Sequence, residues 1–226
     1  MAKKSPKPKD NFTRNLVIAV VVGVASIMVI PNVISQKSDV NAAIPSSVSK
    51  ADGYGVTFNG DLQGVPTIDI WEDFQCPVCG QFEGVNGEYL ASVIAEKKAK
   101  VVYHPLSFIG TESKIAANAA ACAADEDKFV AFHNGLYAQQ ASAENTGKWN
   151  TDFMIAFGAT LGLTSEKFQS CVKNQDYAGW VENVAKDGAA KNVNSTPTVF
   201  VNGKELDRNT QYFNPVEFKK AIEGAK

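Results

Sequence analysis

The order of hydrophobic and polar positions divides the chain into segments of different character. Residues 16–34 are almost entirely apolar, and a helix over this range would be about 28 Å long, close to the thickness of the hydrocarbon core of a bilayer. Residues 35–54 show no periodicity and predict a linker. Over residues 55–226, short β-branched runs alternate with stretches of helical spacing, which is typical of one folded domain.

The first strong strand signal of this domain lies directly before a pair of cysteines. Residues 65–71 are rich in β-branched and aromatic side chains, and Cys76 and Cys79 follow them closely. After the cysteines, apolar residues recur at helical spacing, and residues 100–104 then predict a second strand that ends at Pro105. The sequence therefore predicts a strand–helix–strand unit with the cysteines at the start of the helix.

The rest of the domain is predicted to be a block of helices followed by a return to β structure. Alanine-rich stretches with helical spacing cover about 112–191. Residues 198–201 and 204–206 flank Asn202-Gly203, a strong hairpin signal, and Asn214-Pro215 predicts the cap of a final helix. The predicted fold is an α/β core with a helical insertion.

The charge distribution indicates where the domain is located. The formal net charge of the chain is −2, but residues 1–15 carry five basic side chains against Asp10. The positive-inside rule then places residues 1–15 in the cytoplasm, makes residues 16–34 a transmembrane anchor and puts the domain outside the cytoplasm. A cleaved signal peptide, with a candidate cleavage site at residues 40–42, is the alternative, and it gives the same location. The acidic domain has no basic stripe, which argues against a nucleic-acid partner.

Cys76-Pro77-Val78-Cys79 is the candidate catalytic motif. A cysteine at a helix start lies where backbone N–H groups are unpaired and the helix dipole is positive, so its thiolate is stabilised. Pro77 suits the first turn, and two intervening residues bring the sulfurs within bonding distance. Cys76 is expected to be the nucleophile, and Cys79 is expected to resolve mixed disulfides.

A metal site, a purely structural cross-link and a peroxidase site all fit the motif less well. A zinc site needs two more ligands at matching spacing, and a structural disulfide across two residues closes a very small loop. A thiol peroxidase needs an arginine near the cysteine, and the sequence has only Arg14 and Arg208. The prediction is thus an enzyme that uses neither a metal ion nor a cofactor, and a membrane-anchored, non-enzymatic binding domain is the alternative of another class.

Cys122 and Cys171 form the second pair, on the apolar faces of two predicted helices. In an oxidising compartment such cysteines are expected to form a structural disulfide within the helical insertion, whereas two buried free thiols are the alternative.

Three motifs together resemble the DsbA-like branch of extracytoplasmic thioredoxin-fold proteins. They are the segment 73–79 with its cysteine pair, the His104-Pro105-Leu106 segment, and residues 195–203, which contain Thr196-Pro197. The resemblance covers residues 55–226 and implies a thioredoxin-like fold. It also implies a cis peptide bond at Thr196-Pro197, next to the cysteines, where Pro77, Val78, Thr196 and Pro197 would tune the redox chemistry and bind substrate.

The resemblance implies an oxidase that introduces disulfide bonds into reduced exported proteins. A membrane quinone-linked protein would then reoxidise the cysteine pair. A disulfide reductase or isomerase of the same fold is the alternative, because sequence does not determine the reduction potential.

Relatives commonly carry an acid six residues before the first cysteine, where it can relay protons, but Ile70 occupies that position here. Glu72 and Asp73 are the candidates for a proton relay, although a solvent-exposed charge is the main expectation for each.

Overall fold

The structure, a computed structural model, describes residues 41–225. The predicted tail over 1–15 and the predicted anchor over 16–34 lie outside the described residues. Within residues 41–225, no helix is both long enough and apolar enough to cross a membrane.

Within the described part of the chain, six strands form one mixed sheet. In spatial order they are β1, β2, β4, β3, β5 and β6, and among them only the central strands β3 and β4 are parallel. Their bounds are Val48–Ser49 for β1, Gly55–Phe58 for β2, Thr67–Asp73 for β3, Lys100–Leu106 for β4, Thr198–Val201 for β5 and Lys204–Glu205 for β6.

Seven helices in the described residues accompany the sheet. They are α1 Pro77–Ala95, α2 Thr111–Ala124, α3 Phe129–Ala138, α4 Thr151–Thr160, α5 Glu166–Asn174, α6 Ala178–Ala190 and α7 Pro215–Glu223. Helices α2 to α6 lie between β4 and β5 and correspond to the insertion predicted over about 112–191. The β-α-β unit, the helical block and the final β-β-α unit therefore occur in the predicted order.

Two neighbouring side chains of β3 show on which faces of the sheet the helices lie. Trp71 packs against Gly188 of α6, where a Cβ atom would lie 3.0 Å from the indole ring. The next residue, Glu72, points to the opposite face and forms a hydrogen bond with His133 of α3. Successive side chains of a strand point to opposite faces of the sheet. Since Trp71 contacts α6 and Glu72 contacts α3, these two helices lie on different faces.

The prediction that Pro105 ends the second strand is wrong. Strand β4 continues to Leu106, and Pro105 lies opposite Glu72 of β3. On its other side β4 pairs with β2 only as far as Tyr103, so Pro105 lies where that side has become an edge. A proline without an N–H group is tolerated in a strand at such an edge.

The folded region also begins before the predicted domain boundary at residue 55. Val48–Ser49 forms β1 and pairs with β2, and Ile44 and Val48 pack against the hydrophobic core. The segment predicted as a linker over 35–54 therefore contributes β1 to the sheet. The sequence did not indicate this, because a two-residue strand has no periodicity.

A disulfide bond joins Cys122 of α2 to Cys171 of α5. This is the pairing predicted from the sequence, and the alternative of two free thiols is not observed. Asn118 supports the same junction, since its side chain donates to the carbonyl of Cys171 and accepts from the amide of Tyr177. A cross-link that closes a loop of about 50 residues stabilises the folded state by up to about 4 kcal/mol.

Candidate active site

Cys76 is the N-cap of α1, with extended backbone angles (φ −69°, ψ 117°), and Pro77 occupies the first turn. The Cys76 amide donates to the carbonyl of Asp73, and the Cys76 carbonyl accepts the first helical hydrogen bond, from the amide of Gly80. The predicted placement at a helix start is confirmed. Cys76 is 8% exposed and Cys79 is completely buried, so only the first sulfur can be reached by a substrate.

The loop before β5 lies against Cys76, although the two are 120 residues apart in sequence. The Sγ atom of Cys76 lies 3.6 Å from the carbonyl oxygen of Thr196. The Thr196-Pro197 peptide bond is cis, as the resemblance implied. Pro77 and Val78 are exposed in the first turn of α1, directly after Cys76. All four residues predicted to tune the site or bind substrate therefore lie close to Cys76.

The pKa values of the two cysteines are shifted in opposite directions. A hydrogen bond from Cys79 is the largest cause that lowers the pKa of Cys76 to about 6, against the effect of burial, and Thr196 and the amides of Cys79 and Val78 add to it. Burial raises the pKa of Cys79 well above 9, and Cys76 and Glu72 raise it further. The site therefore favours a thiolate at Cys76 and a protonated thiol at Cys79.

Helical-insertion residues hold the loop that precedes Cys76. Gln140 donates to the carbonyl oxygens of Phe74 and Cys76 at 2.7 and 2.9 Å. The side chain of Gln75 donates to Ser113 and accepts from the amide of Asn145. The backbone of Cys76 is thus fixed from outside its own helix.

Asp73 is fully buried, and the expectation that it is an exposed charge is wrong. Its carboxylate accepts hydrogen bonds from the Ser113 hydroxyl at 2.6 Å and from the amides of Gln75 and Ile109 at 2.9 and 3.1 Å. Burial raises its pKa, and these hydrogen bonds oppose that effect. Asp73 therefore joins β3, the cysteine loop and the start of the insertion.

Glu72 is also buried, at 1% exposure, in a cluster with Glu83 and His133. The Nε2 atom of His133 forms a hydrogen bond with Oε1 of Glu72, while its Nδ1 atom is 2.7 Å from Oδ1 of Asn134. Among the residues that the structure describes, Glu72 Oε2 and both carboxyl oxygens of Glu83 have no hydrogen-bond partner. The expectation of an exposed charge is therefore wrong for Glu72 as well.

The electrostatics of this cluster indicate where its protons are held. Burial, and after it the charge of Glu72, raises the pKa of Glu83 to about 8. Burial lowers the pKa of His133, but the nearby Glu72 outweighs this effect and raises the pKa to about 9. At neutral pH Glu83 and His133 thus both keep a proton beside Glu72.

Glu72, Glu83 and His133 also have the donor atoms of a metal site, all within 4.8 Å of one another. However, both ring nitrogens of His133 are engaged by oxygen acceptors, so both carry protons and neither offers a lone pair. The imidazolium is then the positive charge that the carboxylates face.

Sequence reasoning missed Glu83 and assigned no role to His133. One signal was present: Glu83 follows Cys79 by four residues, so the two share one face of α1. No such signal pointed to His133, because its contact with Glu72 joins elements 61 residues apart.

A family model described as thioredoxin matches residues 55–223. The chain belongs to the thioredoxin family. Its structure is similar to MdbA, a thiol–disulfide oxidoreductase from Actinomyces oris, with 25% identity and a TM-score of 0.68 over 80% of this chain and 92% of that one. The disulfide bond formation protein D of Bacillus subtilis is 26% identical over 70% of this chain and 71% of its own length. This DsbA-like member of the family thus combines the expected fold with the expected cysteine pair.

Other curated relatives are much longer proteins. The Na(+)/H(+) antiporter NhaA 3 of Salinispora tropica is 27% identical over 64% of this chain, but the match spans only 21% of the antiporter. The chain therefore corresponds to about a fifth of that relative, and the likeness concerns the thioredoxin-like region.

Proposed function

We propose that the chain is an extracytoplasmic thiol–disulfide oxidoreductase that introduces disulfide bonds into exported proteins through Cys76 and Cys79. The observation that carries this proposal is the arrangement of the two sulfurs. Cys76 is reachable and has its pKa lowered at a helix start, while Cys79 is buried, one turn further on, with its pKa raised. This asymmetry is what an ordered exchange reaction requires.

The reaction begins with Cys76 and Cys79 joined as a disulfide. A substrate thiolate attacks Sγ of Cys76, so the Cys76–Cys79 bond breaks and Cys79 leaves as a thiolate that takes up one proton. A second substrate thiol loses its proton and attacks the substrate sulfur bonded to Cys76. The substrate leaves with a disulfide, and the enzyme holds the two electrons as the Cys76 thiolate and the Cys79 thiol.

The lowered pKa of Cys76 supports the oxidising direction. A thiolate that is stable at neutral pH is a good leaving group in the second step, and its stability favours the reduced enzyme. An enzyme whose reduced form is favoured is a strong oxidant. The geometry therefore supports the oxidase over the reductase or isomerase.

Glu72 is the residue that we propose as proton relay for Cys79. It raises the pKa of that thiol, and its Oε2 atom has no hydrogen-bond partner among residues 41–225. Asp73, the other candidate from the sequence, has its carboxylate occupied by three donors. Glu83 extends the relay, since it keeps a proton near neutral pH and lies at the floor of a surface groove between α1 and α3.

The exposed surface beside Cys76 is proposed as the substrate site. Val78 is 37% exposed next to the cysteine pair, and the carbonyl oxygen of Thr196 lies 3.6 Å from the sulfur of Cys76. An extended substrate chain can pair with the backbone at Thr196 while its cysteine reaches Cys76.

The location and the reoxidising partner follow from the N-terminal sequence and the family likeness. The basic tail and the apolar segment over 16–34 support a single-pass anchor with the domain outside the cytoplasm. Reoxidation by a membrane quinone-linked protein would return the pair to its disulfide form and complete the cycle.

A redox titration against glutathione, combined with oxidative refolding of a reduced multi-cysteine protein, tests the proposal. An oxidase is expected to show a potential near about −120 mV and to restore the native disulfides of the test protein. A potential near about −270 mV, with reduction of substrate disulfides, would instead identify a reductase.

A further inference from the structure

Arg208 lies in the turn between β6 and α7, and its guanidinium reaches back to the loop before β5. It donates to the carbonyl oxygen of Pro197 at 2.6 Å, to the Ser195 hydroxyl at 2.9 Å and to the carbonyl oxygen of Thr196 at 3.4 Å. One side chain thus holds three consecutive residues of the loop that faces Cys76.

The turn around Arg208 is itself well fixed. The carboxylate of Asp207 accepts from the amides of Asn209 and Thr210 at 2.9 Å, and the Asp207 amide donates to Gln211 at 2.6 Å. The guanidinium carbon lies 5.4 Å from the ring centroid of Tyr212, whose hydroxyl accepts from the amide of Val199 at 2.7 Å. Arg208 and Tyr212 together attach this turn to the start of β5.

The carbonyl oxygen of Thr196 links Arg208 to the reactive sulfur. This oxygen lies 3.4 Å from Nη1 of Arg208 and 3.6 Å from Sγ of Cys76. Other titratable groups act from α1 and β3, since Cys79 of α1 lowers the pKa of Cys76 and Glu72 of β3 raises the pKa of Cys79. Arg208 therefore brings a positive charge to the loop side of the site.

We propose that Arg208 is a positioning residue, which orients the carbonyl groups of Thr196 and Pro197 so that a substrate main chain can pair with the loop beside Cys76. This inference rests on the proposed function and adds to it the residue that orients the substrate site. Only arginine has a planar fork with enough donors to hold three acceptors in fixed directions. Lysine keeps the charge but not this geometry.

The test compares Arg208→Lys and Arg208→Met with Lys204→Met, a matched control. Lys204→Met removes the same charge from the exposed strand β6. The measurement is the oxidation of a synthetic peptide with two thiols by the full chain. Both Arg208 variants should raise KM about five- to tenfold, the effect of losing one or two oriented hydrogen bonds, with kcat within about twofold of the parent. Lys204→Met should leave both constants unchanged.

A second readout, the pH at which iodoacetamide alkylates Cys76 at half its maximal rate, needs no turnover. Both Arg208 variants should leave this midpoint at the parent value, because Arg208 is not among the groups that shift the pKa of Cys76. A moved midpoint would show that Arg208 acts on the sulfur and not on the substrate site, and it would overturn the inference.

A KM equal to that of Lys204→Met in both Arg208 variants would overturn the inference, and so would a fall in kcat at unchanged KM. If Arg208→Met does not fold, Arg208→Lys decides, since it retains the charge and the aliphatic stem. An alkylation midpoint near about pH 8.5 in the unmodified protein would instead refute the proposed function, whatever the variants show.

Discussion

Cys79 and Glu83 lie one helical turn apart on the buried face of α1, and Glu72 of β3 acts on both. Burial is the largest cause that raises the pKa of each, and the charge of Glu72 adds to it. The second sulfur of the motif therefore belongs to a buried set of groups that hold protons at neutral pH, while the first sulfur belongs to a residue that is 8% exposed and favours its ionised form.

This set of groups makes the stability of the reduced protein depend on pH. In the folded state the pKa is about 8 for Glu83 and about 9 for His133. In the unfolded chain the same side chains lose their protons at about pH 4.5 and about pH 6.5, respectively. The folded state binds more protons between these values, so its free energy of unfolding should fall as pH rises from about 4.5 to 9. Glu83→Gln should flatten this dependence and stabilise the protein at about pH 8 by on the order of 2 kcal/mol, as measured by urea unfolding. A variant with the same slope as the parent would contradict the assignment.

The hydrogen bond from Cys79 should be the largest single contribution to the lowered pKa of Cys76. Cys79→Ala removes this donor and is expected to raise the pKa of Cys76 by about one unit, whereas Cys79→Ser keeps a donor and should leave it near 6. The rate of alkylation measured against pH gives both values. Equal values for the two variants would show that the helix start alone stabilises the thiolate.

The proposed relay predicts different effects for Glu72 and Asp73. Glu72→Gln should slow the attack of Cys79 on a mixed disulfide by about tenfold near pH 7, because a general base typically contributes at least this much. Asp73→Asn should instead destabilise the loop and lower the unfolding free energy, since it weakens three hydrogen bonds. Stopped-flow release of a thiol from the mixed disulfide, together with thermal unfolding, separates the two effects. Slower release in Asp73→Asn alone would reverse the assignment.

The disulfide in the helical insertion should affect stability but not the redox chemistry. Replacement of Cys122 and Cys171 by alanine is expected to lower the unfolding free energy by about 2–4 kcal/mol. The pKa of Cys76 should remain unchanged, because the second pair joins α2 to α5 and does not contact the motif. Urea unfolding and the alkylation profile test the two parts, and a shifted Cys76 pKa would show that the insertion controls the site.

The sequence predicted those parts of the structure whose signals are local. The β-branched run before Cys76, the proline at position 77 and the apolar spacing after Cys79 are enough to place the motif between a strand and a helix. The family resemblance supplied the long-range contact between Cys76 and Thr196, which no local pattern carries.

What the sequence did not predict depends on tertiary contacts. Glu72 and Asp73 were expected at the surface because carboxylates are rarely buried without partners, and their partners, His133 and Ser113, come from helices of the insertion. Pro105 was expected to end its strand, but β2 no longer pairs with β4 at that point. In each case a contact with a neighbouring helix or strand, and not the residue type, determined whether the side chain is buried or where the strand ends.

The pKa of Cys76 in the reduced protein is the most direct test of the account, and the ultraviolet absorbance of the thiolate measured against pH reports it. A single transition near pH 6, lost in Cys76→Ser and retained in Cys79→Ser, is the predicted result. A transition near about pH 8.5, the value of an ordinary thiol, would contradict the claim that this site prepares Cys76 for disulfide exchange.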